Sequence, residues 1–198
     1  MRPPFTVLHV CMGNICRSPM AERLLVHALG ALPGEPAELV HVHSAGTGGW
    51  HAGEEMNPPA AREVTRRGAD ASGFLARKLR GEHLDGSDLI LTATAEQQQY
   101  VLALRADAAG RTFVLGEFGR LLDAADLAGL PPFTPEPDAV YRRGVALVEA
   151  VDTARGGRSS QPQDDLDDPW GRGDAFFSRV GDEIDRAVRP LASALLAR

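Results

Sequence analysis

An α/β fold built on a parallel, doubly wound sheet is predicted for this chain by three observations. Short apolar, β-branched runs recur along it, stretches of helical periodicity separate them, and 198 residues with 43% hydrophobic content supply enough apolar side chains for one core. Strands joined through helices in this way pair in parallel by right-handed crossovers. No internal repeat is present, so one domain over 1–198 is expected, with a Pro-, Gly- and Asp-rich insertion and mobile loop within about 126–167.

The first run, FTVLHVC (5–11), reads as a buried strand. The helix after it is marked by Ser18 as N-cap and Pro19 at the first helical position. Ala21, Leu24, Leu25, Ala28, Leu29 and Leu32 then follow the i, i+3, i+4, i+7 spacing of one apolar face. ELVHVHS (38–44) predicts a second strand, followed by the Gly-rich loop AGTGG with Trp50 and His51 at its far end. Asn57 and Pro58 open another helix, which Gly68 stops after Arg66 and Arg67. SDLILTAT (87–94) and RTFVLG (111–116) read as the third and fourth strands, with helices at about 95–104 and 116–124. Past the Pro-rich connection DLAGLPPFTPE (126–136), helices are expected over 138–152 and from about 174, the latter kinked or interrupted by Pro190. Between them RGGRSSQPQDDLDDP (155–169) has almost no apolar content and predicts a mobile surface loop.

A formal charge of −6 excludes a general basic surface for nucleic acid or anionic lipid, so any anion site has to be local. No stretch approaches the ~18 to 20 apolar residues of a membrane span. His9, Asn14 and Arg17 break the N-terminal apolar run, unlike a signal peptide. A cytoplasmic protein with no nucleic-acid or membrane partner is expected. Its two cysteines, five residues apart, make no disulfide framework and read as free thiols with a chemical role or as buried fillers. His41 and His43 alternate on one strand face without a third or fourth ligand, so no metal site and no cofactor are expected.

Both cysteines fall in VCMGNICRSP (10–19), with Arg17 six residues after Cys11. A strand ending at Cys11, a tight loop through Gly13 and a helix beginning at Ser18 and Pro19 would gather the backbone N–H groups of residues 12–17 around one concavity. Loop amides and the positive end of a helix dipole together form an anion cradle. The same field favours thiolates, which makes Cys11 the expected nucleophile toward a bound phosphate. Arg17 supplies a planar fork for two equatorial phosphoryl oxygens, and Ser18 can donate a hydrogen bond to the sulfur. A buried Cys at a strand end is often only an apolar filler. That bland reading suits Cys16 taken alone better than Cys11 in this context.

The segment VCMGNICRSPMAE (10–22) resembles the phosphate-binding loop of the low-molecular-weight protein tyrosine phosphatases, whose pattern is V-C-x-G-N-x-C-R-S-P-x-A-E. HSAGTGGWHAGEEMNPPA (43–60), GADASGFLARKL (68–79) and DDPWG (167–171) extend the resemblance, while the C-terminal half is longer and 105–163 only loosely similar. The resemblance implies a flavodoxin-like, four-stranded parallel sheet of order 2-1-3-4 flanked by helices, with the site at the end of the first strand. It also implies hydrolysis of protein phosphotyrosine through a cysteinyl phosphate. Cys11 is then the nucleophile and Arg17 the clamp. Met12, Gly13, Asn14, Ile15, Cys16 and Ser18 line or support the phosphate, and Asn14 with Ser44 holds the loop in a strained shape. Cys16 takes the place of a thiol that can pair reversibly with Cys11. Expected partners are a phosphorylated protein or small aryl phosphate as substrate and inorganic phosphate or other oxyanions as inhibitors, with a monomer as the default state.

A phosphomonoester leaving group needs a proton that residues 11–18 cannot supply. Of the aspartates in the polar loop, Asp168 is the expected acid, because Pro169 restricts it to extended geometry and the resemblance puts the acid at this Asp-Pro. Asp167 is the fallback, whereas Asp164 and Asp165 read as solvated surface. Trp50 and Trp170 are candidate walls for an aromatic ring, the former more firmly. Two residues depart from the resemblance. Phe74 stands where a histidine commonly joins the network behind the loop, and Thr94 where an aspartate is expected. An arsenate reductase would need two more cysteines. An arginine phosphatase would more often carry Thr in place of Ile15, and a phosphate-binding module without turnover is the alternative from another class.

Overall fold

The computed structural model describes residues 3–32 and 37–196. Four parallel strands, β1 (Phe5–Cys11), β2 (Val40–Gly46), β3 (Leu89–Thr92) and β4 (Thr112–Val114), form one sheet in the order β2-β1-β3-β4. That is the order 2-1-3-4 expected from the resemblance. All seven residues of β1 are buried because it is central and covered on both faces, which explains its unbroken apolar run.

The helices are α1 (Arg17–Gly30), α2 (Pro58–Arg66), α3 (Gly81–Asp85), α4 (Ala95–Leu104), α5 (Leu115–Ala124), α6 (Pro137–Arg155) and α7 (Asp174–Leu196). Alternation along β1 divides the core. Phe5, Val7 and Cys11 face the larger layer, with Leu24 and Leu25 of α1, Phe118 of α5, Val140 of α6 and Ile184 of α7. Leu8 and Val10 face the smaller one, with Leu84 of α3 and Val101 of α4. Phe5, Phe113, Phe118 and Phe177 are completely buried, each contributing about 1.5–3 kcal/mol of burial free energy.

Several sequence expectations are corrected. Ser18 is not the cap of α1: the helix starts at Arg17, Cys16 occupies the cap position without a side-chain hydrogen bond, and the Ser18 hydroxyl is engaged with the loop instead. The second strand begins at Val40, after a single 3-10 turn over 37–39. Asn57 does precede α2, but its side chain caps nothing. The short α3 was not predicted. Helix α7 runs through Pro190 without interruption. A mid-helix proline costs ~3 kcal/mol, but Leu191, Ala192, Leu195 and Leu196 beyond it are all buried, and that burial holds the last turns in place.

Residues 164–166 of the loop expected to be mobile make buried or partly buried, long-range contacts. Asp164, read from the charge run as solvated, is buried and accepts a two-pronged ion pair from Arg120, 3.1 and 2.7 Å. Asp165 is not idle surface either, since its carboxylate accepts the Ala95 N–H at 2.8 Å at the start of α4. Leu166, buried, donates its N–H to the Ala93 carbonyl. These contacts are long-range, so composition alone could not reveal them.

Candidate active site

The loop 12–16 follows the C-terminal end of β1, where open α/β sheets place their ligands. Its carbonyls are tied outward: Cys11 O accepts from Thr47 N, Met12 O from Gly48 N and Ile15 O from Asn57 N, each at 2.9 Å. In a trans peptide the carbonyl and the next N–H point opposite ways, so these bonds turn the N–H groups of Met12, Gly13 and Cys16 toward the other side. Among the described residues, nothing accepts a hydrogen bond from the N–H groups of Gly13, Asn14, Ile15 or Cys16. Such donors at a helix N-terminus form a cradle for an anion. Gly46 permits the close approach behind it, since a Cβ there would lie 2.6 Å from Met12 O and 3.0 Å from Asn14 N.

Asn14 holds the turn. Its φ of 56° is the one positive value at a non-glycine position among the described residues, a conformation that Asn tolerates better than most. All of its side-chain polar groups are used. Nδ2 donates to Ser18 Oγ and to Ser44 Oγ, both at 2.9 Å, and Oδ1 accepts from the Arg77 backbone N–H at 2.9 Å. Ser44 Oγ in turn donates to Glu22 at 2.6 Å. Accepting from Asn14 leaves the O–H of Ser18 available to donate to Cys11 Sγ, 2.9 Å away. The network therefore closes without a histidine. Phe74 is buried, with the Arg23 guanidinium 5.9 Å from its ring centre.

Arg17 is nearly buried, at 5% exposed, and joins the loop to the C-terminal segment. Its Nη1 donates to the Leu166 carbonyl at 3.0 Å, and its Nη2 lies 3.4 Å from Asp168 Oδ2. Asp168 Oδ1 accepts the Trp170 N–H at 3.1 Å, so the Asp168-Pro169-Trp170 turn is internally braced. Cys11, Met12, Gly13, Ile15, Cys16, Arg17, Trp50, Asp168 and Trp170 line one pocket of about 260 Å³. Asn14, Ser18 and Ser44 lie behind it. Burial, then the charges of Cys11 and Asp168, push the Cys16 thiol up to about 12, so Cys16 stays protonated near neutral pH. Thr94 caps α4 through its own side chain, together with Asp165.

Three contributors were missed from the sequence. His51 also lines the pocket, packed against Gly13 and hydrogen-bonded to Glu54 at 2.8 Å. Glu22 closes the network behind Ser44, and the signal for it was present as the last residue of the loop motif, four positions after Ser18. The Leu166 carbonyl carries no side-chain signal at all. Burial pushes Glu22 up against the downward pull of Ser44, Arg23 and Arg77. Burial, then Arg77 and the neighbouring His41 and His83, lower His43 to about 3, leaving it neutral beside Arg77 and Ser87.

A family model described as low molecular weight phosphotyrosine protein phosphatase matches residues 6–154. The low molecular weight protein-tyrosine-phosphatase YfkJ of Bacillus subtilis is 40% identical over 132 residues, 64% of this chain and 78% of that protein. The probable low molecular weight protein-tyrosine-phosphatase EpsP of Ralstonia solanacearum is 40% identical over 112 residues, 57% of this chain and 71% of its own length. Among solved structures, the Erwinia amylovora tyrosine phosphatase AmsI superposes with a TM-score of 0.65 at 22% identity, over 96% of this chain and 92% of that one. The YwlE arginine phosphatase of Geobacillus stearothermophilus gives 0.65 at 24% identity, over 96% and 92%. At these identities the structures show a shared fold.

Proposed function

The chain belongs to the low molecular weight phosphotyrosine protein phosphatase family, so it is a phosphatase that acts on phosphorylated substrates, and we propose that its residues divide the hydrolysis of protein phosphotyrosine as follows. The observation that carries this reading is the convergence of Cys11, Arg17 and Asp168 on one pocket at a helix N-terminus. The Cys11 thiolate attacks phosphorus, the bond to the tyrosyl oxygen breaks, and Asp168 gives that oxygen its proton. The loop N–H groups and the Arg17 fork hold the equatorial oxygens as charge spreads over them. Asp168 then takes a proton from water as the water attacks the cysteinyl phosphate. The P–S bond breaks and inorganic phosphate leaves, the returning thiolate being steadied by Ser18.

Trp50 and Trp170, 72% and 63% exposed, stand at the pocket as walls for the substrate ring. With Ile15 they make the lining suit an aryl group better than a guanidinium. Phosphotyrosine peptides are therefore expected to be turned over at least about tenfold faster, by kcat/KM, than phosphoarginine peptides of the same sequence. The opposite preference would overturn the substrate assignment, and absence of turnover on both would leave a phosphate-binding module. A cytoplasmic setting, which keeps thiols reduced, fits a mechanism that needs free Cys11.

Trp50 depends on a glycine. A Cβ on Gly48 would lie 1.7 Å from Trp50 Cζ3, so the indole rests directly on the Gly48 backbone. Gly48→Ala should lift the ring, shift tryptophan emission and raise KM for aryl phosphates roughly threefold to tenfold, the equivalent of about 1 kcal/mol of aromatic contact. An unchanged KM with a shifted emission would remove Trp50 from substrate binding.

A further inference from the structure

The segment that presents Asp168 is a strap pinned at successive points, and the pins differ in strength. Asp165 accepts the Ala95 N–H, Leu166 bridges Ala93 and Arg17 through its backbone, and Asp167 pairs with Arg179 at 2.8 Å. The Asp167 pair is exposed, with 61% of the carboxylate side chain open to water, so it holds little. The Arg120–Asp164 pair is of another kind. Asp164 is 4% exposed, receives Arg120 Nε and Nη2 in a two-pronged grip, and also accepts the Gln161 N–H at 2.7 Å. Burial alone would raise its carboxyl, but the hydrogen bonds from Arg120 and Gln161 outweigh that and hold it below the usual range.

Two more observations make this pin matter. Gly116, in the first turn of α5, sits under the strap, and a Cβ there would meet Asp164 O at 2.4 Å and Asp164 Cα at 2.9 Å. Beside this contact, between α5, α7 and residues 162–167 of the strap, lies a cavity of about 530 Å³. Close packing supports the strap at Gly116, and open space flanks it. Removing Arg120 would leave the buried Asp164 carboxylate with the Gln161 N–H but without its cation, and the strap can relieve this by moving outward into the open space beside it. Asp168 lies four residues along the same strap.

We propose that Arg120, through Asp164, is a positioning residue for the proton donor, setting where Asp168 stands relative to the leaving oxygen. This rests on Asp168 being the acid. A donor displaced by about 1 Å loses much of its rate contribution, and the loss is felt by leaving groups that need the proton. Neither Arg120 nor Asp164 touches the substrate pocket, so the effect should separate from binding.

The test compares kcat/KM for phenyl phosphate, whose leaving group needs protonation, with that for p-nitrophenyl phosphate, whose leaving group does not, in the full chain. Arg120→Ala and Asp164→Asn should each lower the phenyl phosphate value about tenfold or more while changing the other less than about threefold. The double variant should lose no more than either single one, as expected of residues acting as a pair. Arg120→Lys, which keeps the charge without the fork, should recover part of the loss and serves in place of Arg120→Ala if that protein does not fold. Asp168→Asn, run alongside, should change the same ratio more strongly. A folded Arg120 variant with the wild-type ratio, beside an altered ratio in Asp168→Asn, overturns the positioning role alone. An unaltered ratio in Asp168→Asn overturns the acid assignment and the positioning role together.

Discussion

Cys11→Ser is expected to lower kcat/KM on a phosphotyrosine peptide by at least about 10³-fold while leaving the fold and oxyanion binding in place. A serine hydroxyl keeps the size and the contact to Ser18 but is far less acidic and less nucleophilic than a thiol, so no covalent intermediate forms at a useful rate. The change leaves the proposed cradle untouched, because its donors would be backbone N–H groups and its proposed clamp is Arg17. Inorganic phosphate should therefore still raise the Tm of the variant in a concentration-dependent way. Cys16 cannot stand in for the missing thiol, since burial keeps it protonated. Residual turnover within tenfold of wild type would remove Cys11 from the chemistry.

Arg17→Lys should cost about 10²- to 10³-fold in kcat, the scale of losing a preorganised transition-state donor. Charge is conserved in this variant, so the loss isolates geometry. A guanidinium presents parallel N–H groups in one plane, whereas an ammonium is a point donor on a flexible stem. That plane reaches Leu166 O with one nitrogen and Asp168 with the other. Lysine has no planar fork whose separate nitrogens can reach both partners, so the strap and the loop lose that shared tie as well as the proposed phosphoryl clamp. Steady-state kinetics on an aryl phosphate, with circular dichroism as the check on folding, would read this out. A variant retaining a third of the wild-type kcat would show that charge alone suffices and that the fork does not clamp.

Much of the architecture was legible because the signals were local. FTVLHVC is mostly apolar and β-branched because β1 is covered on both faces, and the helix over 58–66 was marked by Pro58 at its start and Gly68 just past its end. Errors arose where a residue's local preference competed with a distant partner. Ser18 has the chemistry of a helix cap, but Asn14 and Cys11 claim its hydroxyl. Pro190 should break a helix, but four buried residues beyond it keep the chain helical. Asp164 belongs to a run of charge that normally faces water, yet Arg120, 44 positions earlier, draws it inside.

What the sequence determined by itself is the local half of the site: a thiol at a strand end, a tight loop, an arginine and a helix start within eight residues, a strand, loop and helix context that gathers them around one concavity. Only the tertiary structure decided how that half meets the rest. Arg17 reaches Leu166 and Asp168 about 150 residues away, Ser44 and Glu22 close the network behind Asn14, and Gly116 and Arg120 seat the strap that carries Asp168. The reason is physical. Capping, turn conformation and helix periodicity act over a few residues, whereas a buried carboxylate, a backbone carbonyl acceptor or a glycine contact takes its meaning from whichever segment the fold packs against it.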